Sequence, residues 1–581
     1  LISNGITTFG HHPKDNSPQG IFCANGQCSR CNVICDDKIV KSCITPLKEN
    51  MVISTVEGKP EISKNIDEFK QIENISTDVL IIGGGPSGLT AAIELGKLNI
   101  NTILIDDKDR LGGKLVLQTH NFFGSIDDCY AGTRGVDIAT KLETELKKYS
   151  SVKVFLNTTA VGVFSDKKVG MFKDNNQYII VTPKTLLVTT GAREKTIPFK
   201  NAQLPRVFGA GAFQTLLNRD LVKPSQRIFI IGGGNVGLIA AYHALQGNIT
   251  VVGLCEGLKK VGGYKVHLDK IKRLGVPVYL QHSIISANGE EKVESVTIGQ
   301  LDDNWNIIKG TEKTFECDTI LVAVGLEKIN QFKIEAEKFN MKVFSAGDAN
   351  EIAEASSAML GGKVVGLEIA KSLGFDVEIS DSLNETANIL KSHPGDEIET
   401  PNIPQINKIY PVIHCLQEIP CNPCVSVCSK GSIKLAKKKN SILDIPTFEG
   451  ECFNCGKCVA VCPGLAITII DTKKDDKFSE VTIPFEFIPK FKEGDFIPLV
   501  DINGVYVDDC EVIKIKKIKA FDRRLLILLK VKKEFANKVV STPVQNIEEM
   551  KKTIENPIDE LIPDDFIICH CERVTAGEIR E

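Results

Sequence analysis

The sequence has no apolar run long enough to cross a bilayer as a helix, and no signal peptide is visible. It also lacks a charge excess: 70 Lys and Arg stand against 74 Asp and Glu, leaving a net −4. That balance argues against a nucleic-acid or anionic-membrane partner. No nucleophile–base constellation for hydrolysis can be found. Between residues 75 and 375 there is no C-x-x-C pair, so no redox-active disulfide is expected there. Cys129, Cys255 and Cys317 are isolated in that stretch and read as small packed side chains. A length of 581 residues is too great for one core, so several domains are expected.

Cysteine is what the chain has in plenty. There are 19, and most fall into motifs, which suggests a reducing cytosol rather than a disulfide framework. "ECFNCGKCVAVCPGLAI" places Cys452, Cys455, Cys458 and Cys462 in C-x2-C-x2-C-x3-C-P. This is the bacterial-ferredoxin run, in which the fourth cysteine ligates a second [4Fe–4S] cluster. The partner set is "HCLQEIPCNPCVSVCSKG", with Cys415, Cys421, Cys424 and Cys428. Its first spacing is five residues instead of two, a departure from the usual run. Two [4Fe–4S] clusters are expected. Cys452, Cys455, Cys458 and Cys428 would hold one; Cys421, Cys424, Cys462 and Cys415 would hold the other. Zinc sites instead use paired clips. Near the N-terminus, Cys23, Cys28 and Cys31 stand as C-x4-C-x2-C, with Cys43 following after eleven intervening residues. This is plant-type [2Fe–2S] spacing, with zinc as the alternative. Cys35 reads as an extra packed thiol.

Two glycine-rich loops follow. "TDVLIIGGGPSGLTAAIELGKLNINTILIDD" is a strand, then Gly83, Gly85 and Gly88 as G-x-G-x-x-G, a helix, and a strand ending at Asp106. This is the full dinucleotide fingerprint. Gly83 permits the turn, Gly85 admits a pyrophosphate, and Gly88 lets helix and strand approach. Asp106 would accept from a ribose hydroxyl. "SQRIFIIGGGNVGLIAAYHALQGNITVVGLCEG" repeats it with Gly232, Gly234, Gly237 and Glu256. A carboxylate at Glu256 favours NAD over NADP; the alternative is that it only caps the following turn. "LLVTTGARE" ends a strand at Thr190 and Gly191, and "KVFSAGDANE" ends another at Gly347 and Asp348. His120 sits in a loop near the first fold and reads as an ordinary hydrogen-bonded histidine.

Residues 376–408 read as a polar linker with one weakly helical stretch. Residues 480–545 read as a small β domain whose Lys/Arg clusters are solvated strand faces and whose Cys510 is packed. "FIICHCERVTAGEIRE" ends the sequence with Cys569 and Cys571 as C-x-C, followed by a capped helix start at Thr575. Two incidental thiols are the alternative to a metal site there. The first residue is Leu1, and both ends are expected to be truncated.

The order of the loops, TGA and AGD resembles the pyridine nucleotide–disulfide oxidoreductase superfamily over roughly residues 75–375. That resemblance implies FAD in the first fold, with Asp348 near its ribityl chain, and NAD(P) in the second. Cys569 and Cys571 resemble the opening of a bacterioferritin-associated-ferredoxin-like [2Fe–2S] domain. The whole arrangement, with "GIFCANGQCSRCNV", "GGKLVLQTHNFFGS" and "VGGYKVHLDKIKRLGVP", is similar to the alpha, electron-transferring subunits of the sarcosine oxidase, hydrogen cyanide synthase and dye-linked proline dehydrogenase group. The fold class expected is α/β: two Rossmann-like dinucleotide-binding domains flanked by ferredoxin-like iron–sulfur domains, plus a small β domain. The expected units are 1–60 for [2Fe–2S], 75–205 with 325–375 for FAD, 206–324 for NAD, 409–475 for two [4Fe–4S], 480–545 for the β domain, and 566–581 for the C-terminal start. The resemblance implies a partner subunit with its own FAD that oxidises an amine or amino acid, in a hetero-oligomer. Two other readings stay open: a self-contained NAD(P)H dehydrogenase similar to the glutamate synthase small subunit, and an electron wire with structural nucleotides.

Overall fold

The computed structural model describes residues 1–57, 70–391, 394–399, 403, 408–436, 442–517 and 524–555, with the backbone of 567–569 and 574–575. Its centre is a seven-stranded sheet. The strand Lys70–Ile82 lies between Thr102–Ile105 and Gln177–Val188, parallel to both, and Val152–Phe155 extends the parallel half. Thr158–Val163 and Val169–Lys173 add an antiparallel meander, and Val343–Ser345 returns late in the chain to pair with Gln177–Val188. Thr102–Ile105 is buried at every position, as expected of a parallel strand covered on both faces.

A second, wholly parallel sheet has the order Val207–Gly209, Thr319–Val322, Arg227–Ile231, Thr250–Glu256, Val278–Leu280. The chain crosses between the two sheets twice. Those crossings, Ala192–Glu194 and Leu326–Lys328, pair antiparallel as a short ribbon. The helix Ala355–Ser372 closes the first sheet by packing on Pro86–Lys97. A Cβ at Gly362 would stand 2.2 Å from Ser87 O, so the crossing is close enough to need glycine.

The sequence separates residues 409–475 from 480–545. In the structure one six-stranded antiparallel sheet runs through both: Ile409–Ile413, Ile467–Asp471, Phe478–Phe485, Leu525–Lys532, Tyr506–Lys517, Phe496–Val500. The physical reason is an open edge. Ile467–Asp471 leaves the cysteine module as a buried strand and offers its free side to Phe478–Phe485 after a short turn. The helical stretch in the linker is Asp381–Ile389, N-capped by Ser380 Oγ. Near the C-terminus, Val574–Thr575 pairs with Ile567–Cys569. The side chain of Cys569, all of Cys571 and any helix after Thr575 lie outside the described residues. Among the described residues, no helix is long and apolar enough to cross a membrane.

Candidate functional site

Both glycine-rich loops have the same local construction. Gly83 has φ +110° and Gly232 φ +108°, the left-handed turn that ends each strand. A Cβ there would meet the carbonyl oxygen of Thr189 or Ala323 at 2.4 Å. A Cβ at Gly88 or Gly237 would meet the oxygen of Gly83 or Gly232, at 2.0 and 2.1 Å. Those four glycines let backbones touch. The middle glycines differ: Gly85 has nothing closer than Gly113 Cα at 3.9 Å, and Gly234 has nothing within 4 Å. Each is open on the side a pyrophosphate would approach, at the N-terminus of a following helix, Pro86–Lys97 or Asn235–Gln246.

Each loop is clamped by the acid at the end of the next strand. Asp106 Oδ2 accepts from Gly84 N–H at 2.7 Å, and Glu256 Oε2 accepts from Gly233 N–H at 2.7 Å. The second oxygen of Asp106 accepts from Lys108 N–H at 2.9 Å; that of Glu256 accepts from Leu258 N–H at 3.0 Å. Glu256 therefore caps its turn and also lines the cavity into which the loop opens. Burial pushes the Asp106 carboxyl up to about 6.

These loops open into one cavity of about 1120 Å³. Of the residues singled out from sequence, Gly83, Gly85, Asp106, Thr190, Gly191 and Asp348 line it on the first side. Gly232, Gly234 and Glu256 line it on the second. Gly88, Gly237 and Gly347 stand behind the wall. Gly347 has φ +62° and lies against Ser87, which would be 2.5 Å from a Cβ. Asp348 is held by Ala353 N–H at 3.3 Å and is pushed up to about 6 by burial. The lining fits nucleotide binding at each loop: the middle glycines leave backbone open to a phosphate, and a carboxylate, Asp106 or Glu256, stands at the end of the next strand.

Several cavity groups were not found from sequence. Lys114 and Glu194 face each other's charge there; burial pulls the lysine down and pushes the acid up, and each opposes the other's shift. Glu194 also accepts from Gly211 N–H at 2.5 Å. Asn235, inside the second loop, donates to Glu354 at 2.6 Å and accepts from Tyr264 N–H at 2.7 Å, tying the two nucleotide sides together. His120 lines the cavity, and its Nδ1 bonds Phe122 N–H at 3.2 Å. It stacks on His243, and burial pulls it down to about 3, so it is neutral. It is thus both a hydrogen-bonded histidine and part of the wall.

Twelve of the 17 described cysteines fall into three groups of four, and none of the 17 forms a disulfide. Cys23 stands beside Cys28 and Cys43, and Cys31 beside Cys43, close enough for each thiol to act on the ionisation of the next. Backbone N–H groups of Asn25 and Gly26 donate to the sulfurs of Cys23 and Cys43 at 3.4 and 3.3 Å. Such donors stabilise thiolates and tune a cluster. Cys35 faces away, donating to Asp36 at 3.7 Å. In the second group, burial raises Cys421 strongly, and its next influences are Cys424, Cys415 and Cys462. In the third, burial raises Cys458, followed by Cys452, Cys455 and Cys428. Asn454 N–H donates to Cys452 and Ala466 N–H to Cys462, each at 3.4 Å. Among the described residues no three His, Cys, Asp or Glu side chains close on a single ion. Groups of four thiols with N–H donors fit clusters, in which each cubane iron takes one thiolate. Cys129, Cys255, Cys317 and Cys510 are buried, and burial pushes each up to about 12, which leaves them unreactive.

Comparison with known proteins adds the following. Residues 77–359 match the family described as pyridine nucleotide-disulphide oxidoreductase. The matched stretch holds both glycine-rich loops and runs through both sheets that carry them. Residues 1–58 match a 2Fe-2S iron-sulfur cluster binding domain, and residues 419–483 a 4Fe-4S dicluster domain. Hydrogen cyanide synthase subunit HcnB of Pseudomonas protegens is 23% identical over 337 residues, 52% of this chain and 71% of that protein. Sarcosine oxidase subunit alpha of Rhizobium meliloti is 24% identical over 324 residues, 53% of this chain but only 30% of that protein. The crystal structure of L-proline dehydrogenase from P. horikoshii shares the fold, with TM-score 0.50 and 21% identity, covering 72% of this chain and 78% of that one. These matches together support an oxidoreductase of the flavin and iron–sulfur type, similar to HcnB and to the sarcosine oxidase alpha subunit.

Proposed function

We propose that the chain carries electrons between a partner subunit that oxidises an amine or amino acid with its own FAD, and NAD or another acceptor. FAD and NAD, when bound, supply hydride and single-electron chemistry; the chain positions and tunes them. The observation that carries the reading is the single cavity. Cys23 of the first thiol group lines it beside Gln27 and Asn25. Tyr264 lines it elsewhere and packs with Phe122 in the same apolar core as Cys424, Cys458 and Cys462. A flavin there would have thiol-held centres on two sides, which substitutes for the missing disulfide. The relatives named above are themselves called subunits, which supports a partner chain. The third group reaches the surface: Cys455 is exposed, and Phe453 is 59% exposed with Lys430 Nζ 4.3 Å from its ring centroid. Such an edge would suit a docking electron partner.

Dye reduction tests the proposal. The chain co-expressed with its flavoprotein partner should reduce a dye with an amine or amino acid as donor, and the chain alone should not. NADH-to-dye activity from the isolated chain, with no amine- or amino-acid-dependent reduction when the partner is present, would instead favour a self-contained NADH dehydrogenase.

NADH should be preferred to NADPH. Glu256 would accept from the ribose hydroxyls and repel a 2′-phosphate. The nearby lysines are turned elsewhere: Lys259 pairs with Asp303 at 3.0 Å and Lys260 with Glu397 at 3.8 Å. Glu256→Arg should lower kcat/KM for NADH by roughly ten- to a hundredfold, the worth of one charged hydrogen bond, and raise it for NADPH. Equal use of both nucleotides by the unsubstituted chain would remove Glu256 as the selector.

A further inference from the structure

Helix Lys265–Arg273 turns two cations into the interior, away from the nucleotide cavity and toward the cysteine module. Lys270 is 3% exposed and Arg273 1%. Lys270 Nζ donates to Pro463 O at 3.3 Å and lies 3.7 Å from the Tyr242 ring centroid. Arg273 Nη2 donates to Gly464 O at 3.0 Å and Leu465 O at 3.1 Å. From the six-stranded sheet side comes Arg524, 4% exposed, whose Nη1 donates to Cys462 O at 2.7 Å and to Ala460 O. Three buried cations thus enclose the segment 460–465.

The anions in the neighbourhood do not balance them. Glu486 is taken by Arg524. Asp269 is held by Lys265 at 2.8 Å, and it and Asp501 act on Arg273 only from beyond ion-pair distance. Among the described residues neither Lys270 nor Arg273 forms an ion pair, and Arg273 Nε and Nη1 have no hydrogen-bond partner. Carbonyl dipoles and one aromatic face orient these cations but carry no net charge. A buried charge without a counter-charge is strongly disfavoured: burial, then Arg524 and Arg273, pull Lys270 down to about 7, and the negative charge of Cys462 opposes that shift. The segment they enclose contains Cys462, whose thiol neighbours are Cys415, Cys421 and Cys424. Four thiolates around an iron–sulfur cubane are net anionic, and more so after reduction.

We propose that Lys270 and Arg273 are the buried counter-charges of the iron–sulfur centre held through Cys462, and that they raise its reduction potential above what its thiolate shell alone would give. This rests on the two-cluster reading of the eight cysteines. The cations favour the reduced, more negative state because Coulomb attraction is weakly screened in the interior. The centre at Cys428, Cys452, Cys455 and Cys458 reaches the surface and serves as the internal control.

The test is an EPR-monitored redox titration of the anaerobically purified full chain, unsubstituted and as Lys270→Met and Lys270→Arg, with iron counted in each. Lys270→Met should shift one of the two [4Fe–4S] midpoints downward, a tenfold or greater change in the reduction equilibrium, or about 59 mV for one electron. The other midpoint should stay, and Lys270→Arg should restore the first. If Lys270→Met loses one cluster's iron while Lys270→Arg keeps it, the need for charge is shown by retention instead. Unchanged midpoints at full iron, both midpoints moving together, or Lys270→Arg behaving like Lys270→Met would overturn the proposal. Absence of both [4Fe–4S] signals in the unsubstituted chain would overturn the cluster reading instead.

Discussion

A Gly85→Val chain is expected to keep its iron and lose its flavin. Gly85 is the one glycine of the first loop with open space around it, its nearest neighbour being Gly113 Cα at 3.9 Å. A Cβ there meets no backbone closely, and the valine methyls beyond it fill the phosphate approach. Flavin per protein should fall to roughly a tenth or less of the unsubstituted ratio, because the pyrophosphate is the anchor of the bound nucleotide. Gly234→Val makes the same change in the second loop, where a Cβ also has nothing within 4 Å. It should leave flavin bound and abolish reduction by NADH. Absorbance of the purified chains and of their denatured extracts checks both. Undiminished flavin in Gly85→Val would mean that the first loop is not its phosphate site.

Iron content should drop sharply in Cys455→Ser. The three described thiol groups call for about ten irons, two at the first and four at each of the others. The serine chain should hold about six and lose one [4Fe–4S] EPR signal. Cys455 is exposed while Cys458 is 8% exposed, so a replacement at Cys455 disturbs the ligand set with least damage to packing. Loss of cluster should also loosen the module, since metal binding and folding are coupled. About four irons in the unsubstituted chain would contradict two cubanes.

The readable part of the molecule was the part fixed by local spacing. Gly83 and Gly88 are legible because a strand-to-helix turn this tight leaves no room for a Cβ at those places. The cysteine groups are legible because their separation along the chain also sets which thiols lie near one another. What stayed hidden depends on distant partners. "KVHLDKIKR" reads as a charged helix face, yet Lys270 and Arg273 are buried against carbonyls about 190 residues away. Arg524 reads as part of a solvated Lys/Arg strand face. Lys514, Lys516 and Lys517 are indeed exposed, but Arg524 is buried beside Cys462, where Glu486 and backbone oxygens satisfy it. Lys114 and Glu194 lie 80 residues apart and meet only because the first sheet and the crossing ribbon face one cavity. The join between cysteine module and β sheet was hidden because edge pairing has no signature in either strand alone.

Stopped-flow mixing with NADH tests most directly whether the cavity is the junction between nucleotide and clusters. In the unsubstituted chain with its flavin and iron, bleaching of flavin absorbance should be accompanied by bleaching of the iron–sulfur bands. In Gly85→Val, with iron intact and flavin gone, NADH should leave those bands unchanged. Iron–sulfur reduction by NADH in the flavin-free chain, or flavin reduction in the unsubstituted chain that never reaches the iron–sulfur bands, would contradict the account.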